Sequence, residues 1–350
     1  MLALAQITSW HWLGFIACVV LFLALDLGVF HRQAHVVGFK EALFWTAVWA
    51  GLAMLFAFGL HRLRGEKEAL EFVTGYLIEL SLSMDNVFII ALIFGYFHVP
   101  SQQQHRVLFW GILGALLMRG LMIFAGVALI TWLHWLLWVC GAFLLFSGVK
   151  MLLVKTKVEP EKNRVVQWAR KLFPIAPQLD GQRFVTVWNG KRALTPLALV
   201  LLMVETTDLI FAVDSIPAIF AVTTKGFIVF TSNVFAILGL RSLYFVLAGA
   251  IGYFRHLKAG LSVVLVFIGI KMLIDPHDRE PPLWFQKEIP ISLSLLVVAG
   301  VILASIGLSV LAAWREKKPG SGKAGGAPSV KSPSARENAA REMPDRKTGS

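Results

Sequence analysis

The sequence predicts an all-α polytopic membrane protein of about nine transmembrane helices, built around an inverted repeat of three helices and carrying broken acidic helices at mid-membrane depth. Three observations lead there. The chain is 57% hydrophobic and only 15% charged, whereas soluble domains carry about 25% charged residues. Nine apolar runs are long enough to cross a hydrocarbon layer of about 30 Å as helices. A set of short motifs occurs twice in the same order.

The nine runs fall at about 10–30, 41–60, 70–97, 106–130, 132–154, 193–222, 226–254, 258–274 and 289–314. The first is an uncleaved span rather than a signal peptide, because nothing basic precedes it and it continues into Asp26 and His31-Arg32 without a small-residue cleavage site. Residues 1–314 thus form the transmembrane domain. With the N-terminus outside, the inner loops and the tail carry 23 Lys and Arg residues and the outer loops 6. That asymmetry places the C-terminus and the loop 155–192 in the cytoplasm. The net charge of +12 is an orientation and anionic-lipid signal, and no aromatic-interleaved basic motif points to nucleic acid. Segment 315–350, biased to Gly, Pro, Ser and basic residues, reads as a disordered cytoplasmic tail. Cys18 and Cys140 lie in separate spans and read as small buried hydrophobes, not as a disulfide or thiolate site.

The repeat is legible in four places. Arg119-Gly-Leu-Met and Phe146-Ser-Gly-Val-Lys150 reappear as Arg241-Ser-Leu-Tyr and Phe267-Ile-Gly-Ile-Lys271, with Arg-to-Lys spacings of 31 and 30. Gly111-Ile-Leu-Gly114 corresponds to Ala236-Ile-Leu-Gly239, and Glu79/Asp85 to Asp208/Asp214, both pairs six apart. Each unit is an acidic span followed by two more, over 70–154 (spans 3–5) and 193–274 (spans 6–8), joined by the loop 155–192. Because three is odd, the second unit crosses the membrane in the opposite sense, which gives an inverted repeat.

Carboxylates inside spans cost about 2.5–3.5 kcal/mol each at the bilayer centre and persist where they face one another, water or a cation. Glu79, Asp85, Glu205, Asp208 and Asp214 are five such groups, with Asn86 beside them. Inverted repeats place their site where corresponding discontinuous helices meet. Glu79 and Asp85 are about 120° apart on an ideal helix, so a straight rod cannot aim both at one ion. Local unwinding is expected, helped by Ser81, Ser83, Thr206, Thr207, Ser215 and Pro217. Glu205 and Asp208, three apart, share a face and are expected to substitute partly for each other. Oxygen donors without a Cys or a close His suit a hard divalent cation such as manganese, magnesium or calcium. Two or three ionised carboxylates offset the ion's charge and leave the rest free to be protonated, as proton-coupled exchange requires. Arg119 and Arg241 read as counter-charges or gating partners; Asp26 reads either as a capping residue or as part of the ion exit. The histidines lie at or near the predicted membrane surfaces, where anchoring explains them. No Walker, kinase, nucleophile-elbow or zinc motif is present, so neither an enzyme nor a nucleotide-driven pump is expected, and no cofactor is expected beyond the transported ion.

The strings Leu25-Asp-Leu-Gly-Val-Phe-His-Arg32 with His35 and Lys40-Glu41-Ala42, ELSLSMDNVF (79–88), ETTDLIFAVDSIPA (205–218) and Ser232-Asn233 through Tyr244 resemble the TerC/Alx family of bacterial integral membrane proteins. The likeness covers about residues 10–275. It implies a bacterial inner-membrane location and manganese homeostasis by export from the cytoplasm, with an association with tellurium resistance. Position by position, the family's acidic motifs fall on Glu79, Asp85, Asn86, Glu205, Asp208 and Asp214. The alternative is a membrane scaffold or assembly factor without transport, in which the loop 155–192 binds a protein partner. A scaffold tolerates Asp85→Asn; a transporter does not.

Overall fold

The computed structural model describes residues 8–25, 38–153, 164–248, 257–275 and 286–317. Asp26, the first part of the 155–192 loop and nearly all of the tail lie outside the described residues, as do the expectations made for them. Residues Met1–Ala313 form one compact unit and Trp314–Ser350 a second; of the latter only the end of one helix is described.

In chain order the elements are α1 (Ser9–Leu25), α2 (Phe39–Arg64), α3 (Glu66–Tyr96), α4 (Ser101–Trp132), α5 (Leu136–Leu153), α6 (Arg164–Leu172), β1 (Val185–Trp188), β2 (Lys191–Leu194), α7 (Pro196–Phe220), α8 (Gly226–Leu238), α9 (Leu240–Ala248), α10 (Leu257–Ile274) and α11 (Ile291–Lys317). Gly65, at φ +97°, separates α2 from α3 in a conformation that suits only glycine. Thr195 caps α7 by accepting from the Ala198 N–H, with Pro196 in the first turn.

Among the described residues, each of the nine predicted runs contains helix. Seven of these helices are long and apolar enough to cross a membrane. The described part of the run at 226–254 is a pair, α8 and α9, bent by 42° between Leu238 and Leu240. The first run is α1, 17 residues long. The chain is therefore a multi-pass membrane protein with seven spans among the described residues, or eight if the bent pair is one.

The acidic helices are not broken, which corrects the expectation drawn from their hydroxyl and proline content. α3 runs unbroken through 79–86 and α7 through 205–217. The hydroxyls find partners without unwinding anything: Ser81 donates to the Leu77 carbonyl (2.5 Å), Thr206 to Leu202 (2.6 Å) and Thr207 to Met203 (2.7 Å). Each bonds one turn back in its own helix. Pro217 lies inside α7, three residues before its end; it removes the hydrogen bond to the Val213 carbonyl without interrupting the helix.

In the bundle α3 packs against α2, α7, α8 and α9, α4 against α7 and α8, and α5 against α10. The α5–α10 crossing is set by glycines. A Cβ on Gly148 would lie 3.0 Å from both the Ser262 carbonyl and the Val266 nitrogen; one on Gly269 would lie 2.7 Å from the Leu145 nitrogen and 2.9 Å from the Gly141 carbonyl. Close backbone approach at small residues is how membrane helices gain packing energy where lipid offers no hydrophobic drive.

Helix ends that the charge pattern puts on one side of the membrane do meet. Lys225, between α7 and α8, reaches Glu68 (3.1 Å) and Glu71 (3.4 Å) at the start of α3, and Thr223 donates to Glu71 (2.8 Å). At the other end, Tyr244 of α9 donates to Gln104 of α4 (3.0 Å), and Arg106 lies 5.3 Å from the centre of the Phe184 ring. The joint before α7 is more ordered than its charge suggested. It contains α6 and a two-residue hairpin, β1–β2, turning at Asn189-Gly190 with φ of 52° and 74°. Asn-Gly between strand-forming residues is the strongest short hairpin signal a sequence carries.

Candidate cation site

On α3, Glu79 and Asn86 are seven residues apart and so lie on one face, two turns apart, with Asp85 about 100° to the side. On α7, Asp208 and Ser215 repeat that spacing, with Asp214 to the side. α4 contributes Arg119 between them. Its guanidinium, 2% exposed, donates from Nη2 to Asp208 Oδ1 (2.9 Å), from Nε to Asp208 Oδ2 (3.1 Å) and from Nη1 to Ser215 Oγ (3.2 Å). It also forms an ion pair with Glu79, which is wholly buried. Asn86 Nδ2 donates to Asp208 Oδ1 at 3.1 Å. One guanidinium thus ties α3, α4 and α7 together and serves two carboxylates.

Beside this knot lies a small cavity. Its polar lining is Asp85, Asn86, Asp214, Ser215 and Arg119; Leu82, Met151, Phe211, Leu261 and Leu265 supply the rest. About 20 Å³ is open to the centre of a water molecule, room for one water or one small ion. Ser147 of α5 donates to Asp214 Oδ1 at 2.8 Å, which fixes that carboxylate's orientation. Lys258 is within electrostatic reach of Asp85, and Lys150 of Asp214.

The six expected ligands therefore divide. Asp85, Asn86 and Asp214 line the cavity. Glu79 and Asp208 are engaged by Arg119. Glu205 turns instead toward α4, where a Cβ on Gly114 would lie 2.1 Å from Glu205 Oε1, and its Oε2 makes no hydrogen bond. Glu205 and Asp208 share a helix face without sharing an environment, because the partners on α4 differ at each turn. Arg241 is buried in α9 and is not a lining residue. Among the described residues no group of three or more His, Cys, Asp and Glu has metal-binding geometry; the cavity offers two carboxylates, an amide and a hydroxyl. Two contributors carry signals only in the repeat: Ser147 lies in the Phe-X-Gly-X-Lys motif and Gly114 in the Gly-Ile-Leu-Gly motif, and neither motif reveals the carboxylate each one meets.

The chain matches the integral membrane protein TerC family over residues 64–317. An uncharacterized membrane protein of Myxococcus xanthus is 54% identical over 301 residues, covering 86% of this chain and 92% of its own. A protein of Escherichia coli K12, named as a candidate membrane-bound redox modulator, Alx, is 46% identical over 317 residues, covering 88% and 96%. An uncharacterized membrane protein of Rickettsia bellii is 38% identical over 297 residues, covering 84% and 98%. None of these three carries an enzyme's name. No solved structure matches.

Proposed function

The chain belongs to the TerC family of integral membrane proteins, and from that premise we propose that it is a secondary transporter that exports divalent metal cations, Mn²⁺ foremost, from the cytoplasm in exchange for protons. The observation that carries this reading is the pairing of Asp85 and Asp214 in one cavity while Glu79 and Asp208 already share Arg119. Two carboxylates from separate helices, with the Asn86 amide and the Ser215 hydroxyl, present hard oxygen donors and a charge of −2 to a single ion. The oxygen donors suit Mn²⁺, Mg²⁺ and Ca²⁺ alike, so the choice of Mn²⁺ rests on the family resemblance. Either aspartate can hold a proton when the ion leaves, so ion and proton compete for the same oxygens.

An inverted repeat supplies the alternating motion. At α5 and α10, Gly148 faces Ser262 and Val266, and Gly269 faces Gly141 and Leu145. Adding 121 to 141, 145 and 148 gives 262, 266 and 269, so each helix meets the other through the same three positions. Such reciprocity is what a two-fold axis between the two helices produces. In the sequence repeat the positions corresponding to Glu79 and Asp85 are Asp208 and Asp214. Rocking one unit of the repeat against the other about that axis opens the cavity to each side in turn. The excess of 23 over 6 basic residues assigns the loop 155–192 and the C-terminus to the cytoplasmic side of the bacterial plasma membrane. The relatives' redox name concerns those proteins; here Cys18 and Cys140 are free and lie in α1 and α5.

The test is metal flux into proteoliposomes holding the full chain, with Mn²⁺, Ca²⁺, Mg²⁺ and Zn²⁺ in competition at two imposed pH gradients. The reading requires Mn²⁺ flux that rises with the gradient and is lost in Asp85→Asn. A chain that carries no metal, or an Asp85→Asn variant that carries it normally, leaves the scaffold reading in its place.

A further inference from the structure

α6 presents a surface for which transport has no use. At 100° per residue, Val166 and Ala169 lie about 60° apart, and both are buried, in the same apolar cluster as Leu197 and Val200 from the first turns of α7. Adjacent to them round the helix, Trp168 and Leu172 form an outward stripe, 69% and 66% exposed. Together these residues make one apolar arc of about 160°, half seated on protein and half not. Arg170 and Lys171 occupy the opposite arc, both exposed.

We propose that α6 lies in the headgroup layer of an anionic phospholipid membrane, with Trp168 and Leu172 immersed at the acyl boundary and Arg170 and Lys171 on the phosphates. The seat on α7 fixes the level. α7 is a membrane span, and its first turn is where that span leaves the hydrocarbon, so a helix packed there is held at the interface. A basic arc opposed to an apolar arc containing Trp is the pattern of helices that lie in the membrane plane, and Trp prefers that depth. Charge complementarity favours anionic lipid. The hairpin next to α6 has the same character: Val187, 70% exposed, stands opposite Arg192 in register.

The experiment uses the full chain in nanodiscs, with Cys18 and Cys140 replaced by serine and one spin label introduced by Leu172→Cys or, as an aqueous control, Gln178→Cys. Accessibility to oxygen, which concentrates in the bilayer, is compared with accessibility to a water-soluble nickel chelate. The Leu172→Cys label should favour oxygen several-fold over the Gln178→Cys label, and more strongly in anionic than in neutral discs. Adding Arg170→Glu with Lys171→Glu should abolish the difference between the two lipids, since each lost positive charge weakens the immersed state about five-fold. Equal nickel accessibility at both sites in both lipids would overturn the proposal in favour of a soluble partner. Dipolar coupling between Leu172→Cys labels would overturn it in favour of a second copy of the chain. Thermal unfolding of each variant confirms that the fold is intact, and a label introduced by Trp168→Cys repeats the measurement if Leu172→Cys is unstable.

Discussion

Arg119 clasps Asp208 through two hydrogen bonds, Nη2 to Oδ1 at 2.9 Å and Nε to Oδ2 at 3.1 Å, and that fork joins α4 to α7 midway along both helices. Because the same guanidinium also meets Glu79 and Ser215, it organises the wall of the cavity without presenting its charge to the cavity alone.

Replacing Arg119 by Met leaves Glu79 and Asp208 buried without a counter-charge, a loss of about 3–5 kcal/mol for a broken buried pair. Arg119→Lys keeps the charge but cannot form the fork, so its loss is smaller. Thermal unfolding in detergent should rank wild type above Arg119→Lys and that above Arg119→Met; equal midpoints for all three would show that the knot contributes no stability.

Asp208 and Glu205 should behave differently despite sharing a helix face. Asp208→Asn removes a charged acceptor from Arg119 and Asn86, costing about 1.5–3 kcal/mol. Glu205→Gln replaces a carboxyl whose Oε2 has no hydrogen bond with a neutral group of the same shape, so stability should hold or rise. Matching losses in the two variants would contradict the division drawn between them.

Asp85→Asn and Asp214→Asn each keep volume and one oxygen donor but remove half the charge that faces the ion. Cells challenged with excess Mn²⁺ should retain manganese with either variant at normal protein levels, and the double variant should be no worse than the singles. Clearance at the parent rate would mean that these carboxylates are not the ion path.

Glycine substitutions should separate a yielding contact from an unyielding one. The Cβ of Gly114→Ala meets the end of the Glu205 side chain, which can swing away, and Glu205→Ala in the same chain should restore stability. The Cβ of Gly269→Ala meets backbone atoms of Leu145 and Gly141, so α5 and α10 must separate, at about 1–3 kcal/mol. A larger midpoint drop for Gly114→Ala than for Gly269→Ala would reverse the argument.

The sequence by itself determined that this is a helical membrane protein, where its helices lie, and that carboxylates sit inside two of them, because burying apolar length in lipid is a local requirement that hydropathy reports directly. Its doubled motifs located Asp85 and Asp214 as a pair. Tertiary structure alone decided how the charges are shared. One helix can be rotated against the next without altering either sequence, so only packing shows that Arg119 engages Glu79 and Asp208 while also lining the cavity, or that Glu205 faces Gly114. It also decided that α3 and α7 stay unbroken. Hydroxyls that compete with a helix in water bond the preceding turn when no water is present, and two acids on different faces of a straight helix then serve two different partners.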